Sequence, residues 1–318
     1  MSTKIVFMGT PQFAVPSLER LIETSLESDW EVVGVVTQPD RRQGRGKKVS
    51  PPPVKVAAEQ ANIPIFQPET LRTDDAFSTL VAFAPDLIIV AAFGQILKPN
   101  VLALPQFGCL NVHASLLPRW RGAAPIAAAI QAGDQETGIT LMQMNEGLDT
   151  GPMLYHQTVP IRLDDTTETL TKTLAQVGAD LLVETLPAWL KGEITAIRQD
   201  DHEATLAPRL AKQAGSIDWF KPAAVIERQV RAFFPWPGTF TDSQRGRFKV
   251  LSVDVSESVA NTLEPGTLFK HNKQVWVATG HDSLRLVMVQ PAGKKAMPAE
   301  AMLNGMPDLW ETRLGESE

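Results

Sequence analysis

Short runs of consecutive apolar residues recur through the first half of the chain, separated by turn residues and by segments whose apolar positions have helical spacing. Runs of this kind are typical of strands that are buried on both faces of a parallel sheet, because neither face then needs polar residues. The pattern predicts an α/β domain with a doubly wound, mostly parallel sheet. The predicted strands are Lys4–Met8, Glu31–Thr37, Ile63–Phe66, Asp86–Ala92, Gly108–His113, Gly138–Met142 and Met153–Ile161.

The segments between these strands carry apolar residues three or four positions apart, which predicts helices that pack one face on the sheet. A longer helix is expected to close the domain and to begin at Asp165–Glu168, where the acid and the glutamate have the spacing of a capping box. The other predicted helices are 13–26, Val54–Ala61, Asp75–Phe83 and Ala124–Ala132.

From residue 209 onward the pattern changes to short strands in which apolar and polar residues alternate. Several short strands with turn signals between them predict a small β-barrel, and we expect the five-stranded oligonucleotide-binding (OB) type. The polar stretch before it is interpreted as a linker, so the predicted domains are 1–191 and 209–318, joined by 192–208. The predicted elements of the second domain are a helix over Pro222–Phe233 and strands over Phe248–Val255, Gly266–Phe269, Gln274–Thr279 and Leu284–Gln290.

The composition is that of a globular protein, since 43% of the 318 residues are hydrophobic and 21% are charged. This balance excludes the disordered and collagen-like classes. The one cysteine, Cys109, allows no intramolecular disulfide and lies in an apolar run, where a small buried side chain is a better interpretation than a nucleophile. The amino terminus carries no long apolar segment. These features predict a cytoplasmic protein that does not associate with membranes.

The formal net charge of −6 argues by itself against a polyanionic partner. The charge is segregated, however: residues 1–208 hold 16 basic against 24 acidic side chains, and residues 209–318 hold 14 against 12. Five cations and no acid fall close together in the long connection Gln38–Pro53, namely Arg41, Arg42, Arg45, Lys47 and Lys48. Such a loop attracts phosphates without reading a sequence, although a merely solvated loop has the same composition. Further candidates in the second domain are Arg228, Arg231, Trp236, Arg245, Arg247, Lys249, Lys294 and Lys295.

Several common site motifs are missing. The first turn offers Gly9 alone where dinucleotide binding needs a glycine cluster, and the Gly44–Lys48 segment lacks the spacing and the Ser or Thr of a P-loop. No Gly-x-Ser-x-Gly sequence is present. The five histidines are too dispersed for a zinc site, so we expect no metal.

An amide and an imidazole stand two residues apart where one buried strand ends. Asn111 and His113 therefore share a face of that strand. Alone, such a pair is more often a hydrogen-bonded strand terminus than a catalytic pair. A carboxylate, Asp149, lies in the glycine-bounded loop that follows another strand. Together the three suit direct acyl transfer, in which the donors stabilise an oxyanion while Asp149 orients His113 and helps to move a proton.

These residues resemble a known signature. Asn111-x-His113-x-Ser115-Leu-Leu-Pro118, with Asp149 inside Gly147-Leu-Asp-Thr-Gly151, resembles the 10-formyltetrahydrofolate-dependent formyltransferases. The whole chain is similar to the branch of that family that acts on initiator methionyl-tRNA. The resemblance extends over Gly9-Thr-Pro11, Gln38-Pro-Asp-Arg41, Gly44-Arg-Gly-Lys-Lys48, Pro118-Arg-Trp-Arg-Gly-Ala-Ala-Pro125, Ala232-Phe-x-Pro-Trp-Pro237 and Gln290-Pro-Ala-Gly-Lys-Lys295.

The resemblance implies a formyltransferase domain followed by an OB-like barrel, and transfer of formyl from N10 of the folate to the α-amine of methionine on the initiator tRNA. Asn111 and His113 would stabilise the oxyanion, with Asp149 supporting His113 and proton transfer. The loop over Arg41, Arg42, Arg45, Lys47 and Lys48 would enter the tRNA acceptor end, with Arg45 the most important. The barrel cations Arg245, Arg247, Lys249, Lys294 and Lys295 would add RNA contacts. The implied folate site comprises Phe93, Gly94, Gln95, Ile96, Leu97, Ser115, Leu116, Leu117, Pro118, Asn145 and Gly147; many relatives carry tyrosine in place of Phe93.

Alternatives remain at this point. A glycinamide ribonucleotide formyltransferase would share the first domain but end near residue 200, and a sugar formyltransferase would be expected to lack the long basic loop. A formyltetrahydrofolate hydrolase could use the same three residues without needing the loop or the barrel. A non-catalytic RNA-binding function would account for the basic loop and the barrel, but not for Asn111, His113 and Asp149. Nothing in the sequence demands more than a monomer.

Overall fold

The computed structural model describes residues 2–43, 48–255, 259 and 262–315, and it divides into two compact units. The first comprises 1–125, 136–160 and 171–207, and the second comprises 126–135, 161–170 and 208–318. The elements in chain order are β1 (Thr3–Gly9), α1 (Val15–Ser25), β2 (Trp30–Val36), β3 (Arg41–Gln43), β4 (Lys48–Ser50), α2 (Pro53–Gln60), β5 (Ile65–Phe66), α3 (Asp74–Ala82), β6 (Leu87–Ala91), α4 (Pro99–Leu102), β7 (Cys109–His113), β8 (Arg121–Gly122), α5 (Pro125–Ala132), β9 (Glu136–Gln143), β10 (Met153–Pro160), α6 (Thr167–Leu190), β11 (Leu206–Ala207), α7 (Ala223–Ala232), β12 (Thr239–Thr241), β13 (Phe248–Asp254), β14 (Leu268–His271), β15 (Gln274–Ala278), β16 (Ser283–Pro291), β17 (Met297–Pro298) and α8 (Ala299–Gly305).

A seven-stranded sheet of order β10-β9-β7-β6-β1-β2-β5 forms the centre of the first unit. Strands β5, β2, β1, β6 and β7 are parallel, as the apolar runs predict. Strand β9 pairs antiparallel with β7, and β10 pairs antiparallel with β9. The mostly parallel sheet predicted from the sequence is therefore confirmed, with a two-strand antiparallel extension beside β7.

The sheet is buried because alternate residues of each strand face opposite apolar layers. On one face, Val6, Met8 and Val90 belong to a cluster with α3 residues such as Leu80 and with Phe93. On β7, Val112 contacts helix α6, where a Cβ built on Gly178 would lie 2.8 Å from Val112 Cγ1. This close approach fixes the height of α6 above the strand that ends at His113.

Two connections differ from their expected form. The basic segment Gln38–Pro53, expected as a loop, contains a β-hairpin in which Arg41 and Arg42 of β3 pair with Ser50 and Val49 of β4. The capping box lies one residue later than predicted: Thr166 Oγ1 accepts from the Thr169 backbone N–H, and Thr169 Oγ1 accepts in return from the N–H of Thr166. A threonine pair provides the same reciprocal capping as an acid with a glutamate.

The polar segment 192–208, interpreted as a linker, runs within the first unit as far as residue 207. Its strand β11 pairs in parallel with β8, matching Leu206 to Arg121 and Ala207 to Gly122. Polar composition here reflects a surface segment held by hydrogen bonds. The domain boundaries proposed from the sequence stay a prediction.

The second unit is built on an antiparallel sheet of order β12-β13-β16-β15-β14, with β17 added beside β16. Its core combines alternate strand residues with apolar residues of α7 and α8, including Ile226, Leu286 and Leu303. The predicted strands and the helix of this region are confirmed, and the antiparallel arrangement is consistent with a small barrel-like domain. Within the described ranges of the whole chain, no helix has the length and apolar character needed to cross a lipid bilayer.

We predict that Gly178→Ala lowers the free energy of unfolding. The added methyl group would sit 2.8 Å from Val112 Cγ1 and 3.4 Å from Ile139 Cδ1. Overpacking of this kind costs about 1–3 kcal/mol, more than the ~1 kcal/mol that alanine gains over glycine inside a helix. Urea denaturation measures the difference. Gly305→Ala, at a helical position where the added Cβ meets nothing within 4 Å, serves as the control and should not destabilise the protein. Equal stability of Gly178→Ala and wild type would contradict the tight contact.

Candidate active site

Asn111 and His113 project from the same face of β7 near its carboxyl end. This face also carries Cys109, which belongs to the apolar cluster with Phe93. Both polar side chains are largely buried, with relative exposures of 8% for Asn111 and 5% for His113. Such burial of an amide and an imidazole requires polar partners.

Asp149 supplies the main partner. Its Oδ1 accepts a hydrogen bond of 3.4 Å from Asn111 Nδ2 and lies 3.7 Å from His113 Nδ1. Strand β9 runs antiparallel to β7, with Gln143 opposite Leu110. The loop after β9 therefore leads back along β7 and brings the Asp149 carboxylate to Asn111 and His113. Asn111, His113 and Asp149, which we call the trio, are therefore in contact.

The segment Trp120–Gly122 holds both sides of this trio through its backbone. The Trp120 carbonyl oxygen lies 3.1 Å from His113 Nε2, and the Gly122 N–H donates to Asp149 Oδ2 at 2.9 Å. Pairing of β8 with β11 fixes the segment. Only glycine suits position 122, since its φ is +125° and a Cβ there would lie 2.6 Å from the Ala207 carbonyl oxygen.

These contacts also define the tautomer of the His113 imidazole. A backbone carbonyl can only accept, so the hydrogen bond to Trp120 requires a proton on His113 Nε2. The other ring nitrogen, Nδ1, faces Asp149 Oδ1.

Sequence reasoning missed two buried side chains beside the trio, Gln199 and Arg121. Gln199 Nε2 donates to the carbonyl oxygens of Asp149 and Gly151 at 2.8 and 2.7 Å, and its Oε1 accepts from Arg121 Nε at 2.9 Å. Arg121 Nη2 in turn donates to Asp201 at 2.9 Å. Gln199 lies in the segment interpreted as a linker, and no local pattern distinguishes it from the polar residues around it.

The segment from Phe93 to Leu97 follows β6, the strand next to β7. Phe93 and Leu97 are buried in the cluster on the face of Asn111, and the Phe93 carbonyl accepts from Thr10 and Gln38 side chains. Gln95 anchors the segment by bonding to backbone groups of Leu71 and Pro68. Gly94 is exposed, with the Gln38 side chain 3.9 Å from an added Cβ, and Ile96 is 71% exposed. The backbone and Ile96 are therefore the accessible parts of this segment.

The loop after β9 begins with Met144, which packs on the same apolar cluster. Asn145 Oδ1 accepts from the Gly147 N–H at 3.0 Å and from Thr150 Oγ1 at 2.8 Å, so this side chain shapes the loop. Leu148, next to Asp149, is 63% exposed. The two segments that flank the trio on this face thus each present an uncovered aliphatic side chain.

The segment Ser115–Pro118 turns two of its side chains inward, and its role in lining a ligand site stays a prediction. Ser115 is fully buried and donates to the Arg119 carbonyl at 2.6 Å, and Leu117 is also buried. Leu116 packs against β9, where its Cδ2 occupies the space that a side chain at Gly138 would need. Thr140 of β9 also holds the backbone of this loop, because its Oγ1 donates to the Ser115 carbonyl and accepts from the Leu117 N–H.

The structure describes part of the basic hairpin. Arg42 is exposed, and Arg41 donates to Gln38 Oε1 at 3.4 Å and lies 3.8 Å from Glu69. Arg45 and Lys47 fall outside the described residues, and Lys48 is described only as part of the β4 backbone. The hairpin therefore presents Arg42 as its clearest described cation.

The five barrel cations expected to contact RNA fall into two groups. Arg245 pairs with Asp308, and Arg247 makes two hydrogen bonds of 2.9 Å to Asp242 while stacking 4.1 Å over the Phe240 ring. The hydrogen bonds from Arg247 lower the pKa of Asp242, and the hydrogen bond from Arg245 lowers the pKa of Asp308. Lys249, Lys294 and Lys295 are exposed, with Lys249 opposite Phe240 and Gln290 in the sheet.

Comparison with known proteins places this geometry in context. Residues 3–186 match the family model described as formyl transferase, and residues 209–307 match that of the formyl transferase C-terminal domain. The chain is 46% identical over 303 residues to a methionyl-tRNA formyltransferase of Marinobacter nauticus, covering 95% of this chain and 96% of the relative.

Solved structures share the fold. An N-formyltransferase from Helicobacter canadensis, in complex with folinic acid and dTDP-3-aminofucose, has a TM-score of 0.65 at 17% identity over 90% of this chain and 99% of its own. HypX from Aquifex aeolicus, in complex with tetrahydrofolic acid, has a TM-score of 0.62 at 17% identity. That match covers 95% of this chain and 47% of HypX, so the chain spans about half the length of HypX.

Cys109, at the start of β7, is a buried thiol whose Sγ lies 3.8 Å from the Val101 carbonyl oxygen. Burial raises the pKa of this thiol from 9.0 to about 12. A neutral thiol is neither a good nucleophile nor a metal ligand. The expectation that Cys109 is a small buried side chain is confirmed.

We predict that native Cys109 reacts with iodoacetamide about 1,000-fold more slowly at pH 8 than in the urea-unfolded chain, because thiolate is scarcer by that factor. Stability should also fall as pH rises from 9 towards 12, because the unfolded thiol loses its proton first and the folded one keeps it. Urea denaturation across this range, with Cys109→Ala as the control for lysine and tyrosine titration, measures the effect. An equal alkaline loss in both proteins would contradict the assignment.

Proposed function

The chain belongs to the formyltransferase family, and we propose that it transfers the formyl group of 10-formyltetrahydrofolate to the α-amino group of methionine on initiator methionyl-tRNA. The observation that carries the proposal is the contact among Asn111, His113 and Asp149, in a chain similar over 95% of its length to a methionyl-tRNA formyltransferase. The protein would thus be an enzyme of translation initiation, acting in the cytoplasm, and we expect it to act as a monomer.

Asn111 would stabilise the charge that forms on the formyl oxygen. Its amide carries two N–H groups, of which Asp149 accepts one in a long hydrogen bond of 3.4 Å. A second donor held rigidly on a strand, in surroundings from which water is largely excluded, is worth far more than in water. Burial of Asn111 and its place on β7 supply that rigidity.

His113 and Asp149 would handle the proton of the attacking amine. The new bond joins the amine nitrogen to the formyl carbon, the bond from that carbon to the folate nitrogen breaks, and one proton must pass between the two nitrogens. The position of Asp149 Oδ1, 3.7 Å from His113 Nδ1, suits this relay, since a carboxylate stabilises an imidazole that has taken up a proton. The Gly122 N–H keeps Asp149 Oδ2 engaged, which leaves Oδ1 for the pair.

The residues on either side of the trio fit a folate. When bound, the folate supplies the formyl carbon. A flat heteroaromatic ring needs apolar cover and backbone donors and acceptors at its edge. The exposed side chains of Ile96 and Leu148 offer apolar cover. The backbone of Phe93–Leu97 and of the loop around Asn145 and Gly147 offers hydrogen-bond donors and acceptors. Ser115 and Leu117 would support this site from inside.

The basic side chains would contact the phosphates of the tRNA. In the segment Gln38–Pro53 these are Arg41, Arg42, Arg45, Lys47 and Lys48. In the second domain the exposed Lys249, Lys294 and Lys295 are the simplest phosphate partners. Arg245 and Arg247 are already paired with acids, so an RNA phosphate would compete with Asp308 and Asp242 for them.

The proposal is tested by a formyl-transfer assay that compares charged initiator tRNA, charged elongator tRNA and free methionine as acceptors. Transfer to the charged initiator alone supports the proposed function. Cleavage of 10-formyltetrahydrofolate without any tRNA acceptor would refute it and favour a hydrolase. Transfer to a small amine, such as an amino sugar nucleotide, would favour a small-molecule formyltransferase.

We predict that Asn111→Ala lowers kcat about 100-fold or more, as expected when one oxyanion donor is removed, while folate affinity changes by about twofold or less. Steady-state kinetics and folate titration measure the two quantities. The isosteric Asn111→Asp keeps the shape but replaces the donor by an acceptor, so it should be as slow. A normal rate in either variant would remove Asn111 from catalysis.

We predict that Arg42→Gln weakens tRNA binding and makes the slope of log affinity against log salt concentration shallower by about 1, the effect of one lost phosphate contact. Filter binding at several salt concentrations measures this, and Arg45→Gln should behave alike. Lys191→Gln, which removes an exposed cation just after α6, is the matched control and should leave the slope unchanged. A change confined to folate affinity would place the hairpin in the folate site.

A further inference from the structure

Gln199 is a buried polar side chain beside the trio that the proposed chemistry does not use. We propose that Gln199, held by Arg121, is a positioning residue that fixes the backbone of the loop carrying Asp149. The inference rests on the proposed function, since it concerns the same carboxylate. It adds a residue from the segment 192–208, which sequence reasoning treats as a linker.

Every hydrogen-bonding group of the Gln199 amide is engaged. Its two N–H groups donate to the carbonyls of Asp149 and Gly151, and its oxygen accepts from Arg121 Nε. The partners define the orientation of the amide, because carbonyls only accept and a guanidinium only donates. Gln199 is 4% exposed, so these bonds are shielded from water.

The bonds close a ring around the carboxylate. Asp149 Oδ2 accepts from the Gly122 N–H, and the Asp149 backbone oxygen accepts from Gln199. Gln199 returns to Arg121, the residue that precedes Gly122 in β8. Both the side chain and the backbone of Asp149 are therefore tied to one short strand.

Such support is needed because the backbone conformation of Asp149 is intrinsically unfavourable. Its φ is +52°, in the left-handed region, which is unfavourable for a residue with a Cβ. The loop is also more exposed just before it, at Leu148. Without the two bonds from Gln199 the peptide groups of Asp149 and Gly151 could rotate to face water, and the carboxylate would leave the Asn111 and His113 side chains.

We predict that Gln199→Ala lowers kcat by about 10- to 100-fold, the loss typical of a misplaced catalytic group, with KM for folate and for tRNA changed by about twofold or less. Gln199→Glu should be equally slow. Its carboxylate keeps the volume and the Arg121 contact but cannot donate to the two carbonyls. A loss expressed only in KM would overturn the proposal.

Gln229 provides a matched control for loss of stability alone. This residue is also buried, at 8% exposure, and its Nε2 also donates to two backbone carbonyls, those of Ala214 and Ser216, at 2.8 and 3.1 Å. Gln229→Ala should lower the melting temperature to a degree similar to Gln199→Ala but leave kcat unchanged. An equal loss of kcat in both variants would assign the effect of Gln199 to stability and overturn the proposal.

A double-mutant cycle tests whether Gln199 acts through Asp149. Asp149→Ala removes the carboxylate but keeps the carbonyl that Gln199 holds. In that background Gln199→Ala should lower kcat by about twofold or less, because the position of the loop no longer matters for the chemistry. Fully additive losses would contradict a role through Asp149.

A crystal structure of Gln199→Ala gives a readout that does not depend on the reaction. The Asp149 carboxylate should have moved from the Gly122 N–H, and an unchanged position would overturn the proposal. Failure of the proposed function is seen separately, in a wild-type protein that does not formylate methionyl-tRNA. In that case the structural test still decides the role of Gln199.

Discussion

The candidate site of the first unit depends on the contact of the Asp149 carboxylate with the buried side chains of Asn111 and His113. The carboxylate lies in a loop, so no strand holds it in place. Asn111 and His113 are fixed by β7, which lies between β6 and β9 within the sheet. Asp149 follows an antiparallel strand and has a left-handed backbone, so neither a sheet ladder nor a helix determines its position. The backbone of Trp120–Gly122 provides the missing constraint by contacting His113 and Asp149 at once. Because that segment is only a two-residue strand, it needs β11 beside it, and the chain far beyond the sheet thereby becomes part of the site.

The sequence predicts those features of this arrangement that depend on neighbours along the chain. Strand periodicity places Asn111 and His113 on one face, and a lone acid between two glycines points to Asp149. The antiparallel direction of β9 was not predictable, since an apolar run has the same composition in either direction. Gln199 is 78 residues from Arg121 and 50 from Asp149, so its role depends on tertiary contacts without a local signal. The burial of the Ser115 and Leu117 side chains was likewise not predictable, because a signature motif does not show which of its side chains face inward.

The basic residues show the same limit for charge. A count of cations treats Arg247 and Lys249 as equal, yet Arg247 is held between Asp242 and the Phe240 ring while Lys249 is exposed beside them. An arginine fixed in this way adds little net charge but presents a rigid, partly satisfied guanidinium on an aromatic ring. The attraction of residues 209–318 to an anion therefore depends more on the few exposed lysines than on the net charge of +2.

The double attachment of Arg121 limits the length of the chain that returns to it. Its side chain holds Gln199, and its backbone pairs with Leu206, so the residues between these two form a loop closed at both ends on one amino acid. A change of length there has to be absorbed between two fixed ends, whereas Gly192, around which an added Cβ meets nothing within 4 Å, lies before both. We accordingly expect more variation in chain length on the amino-terminal side of Gln199 than between Gln199 and Leu206, although both stretches lie on the surface and look alike in composition.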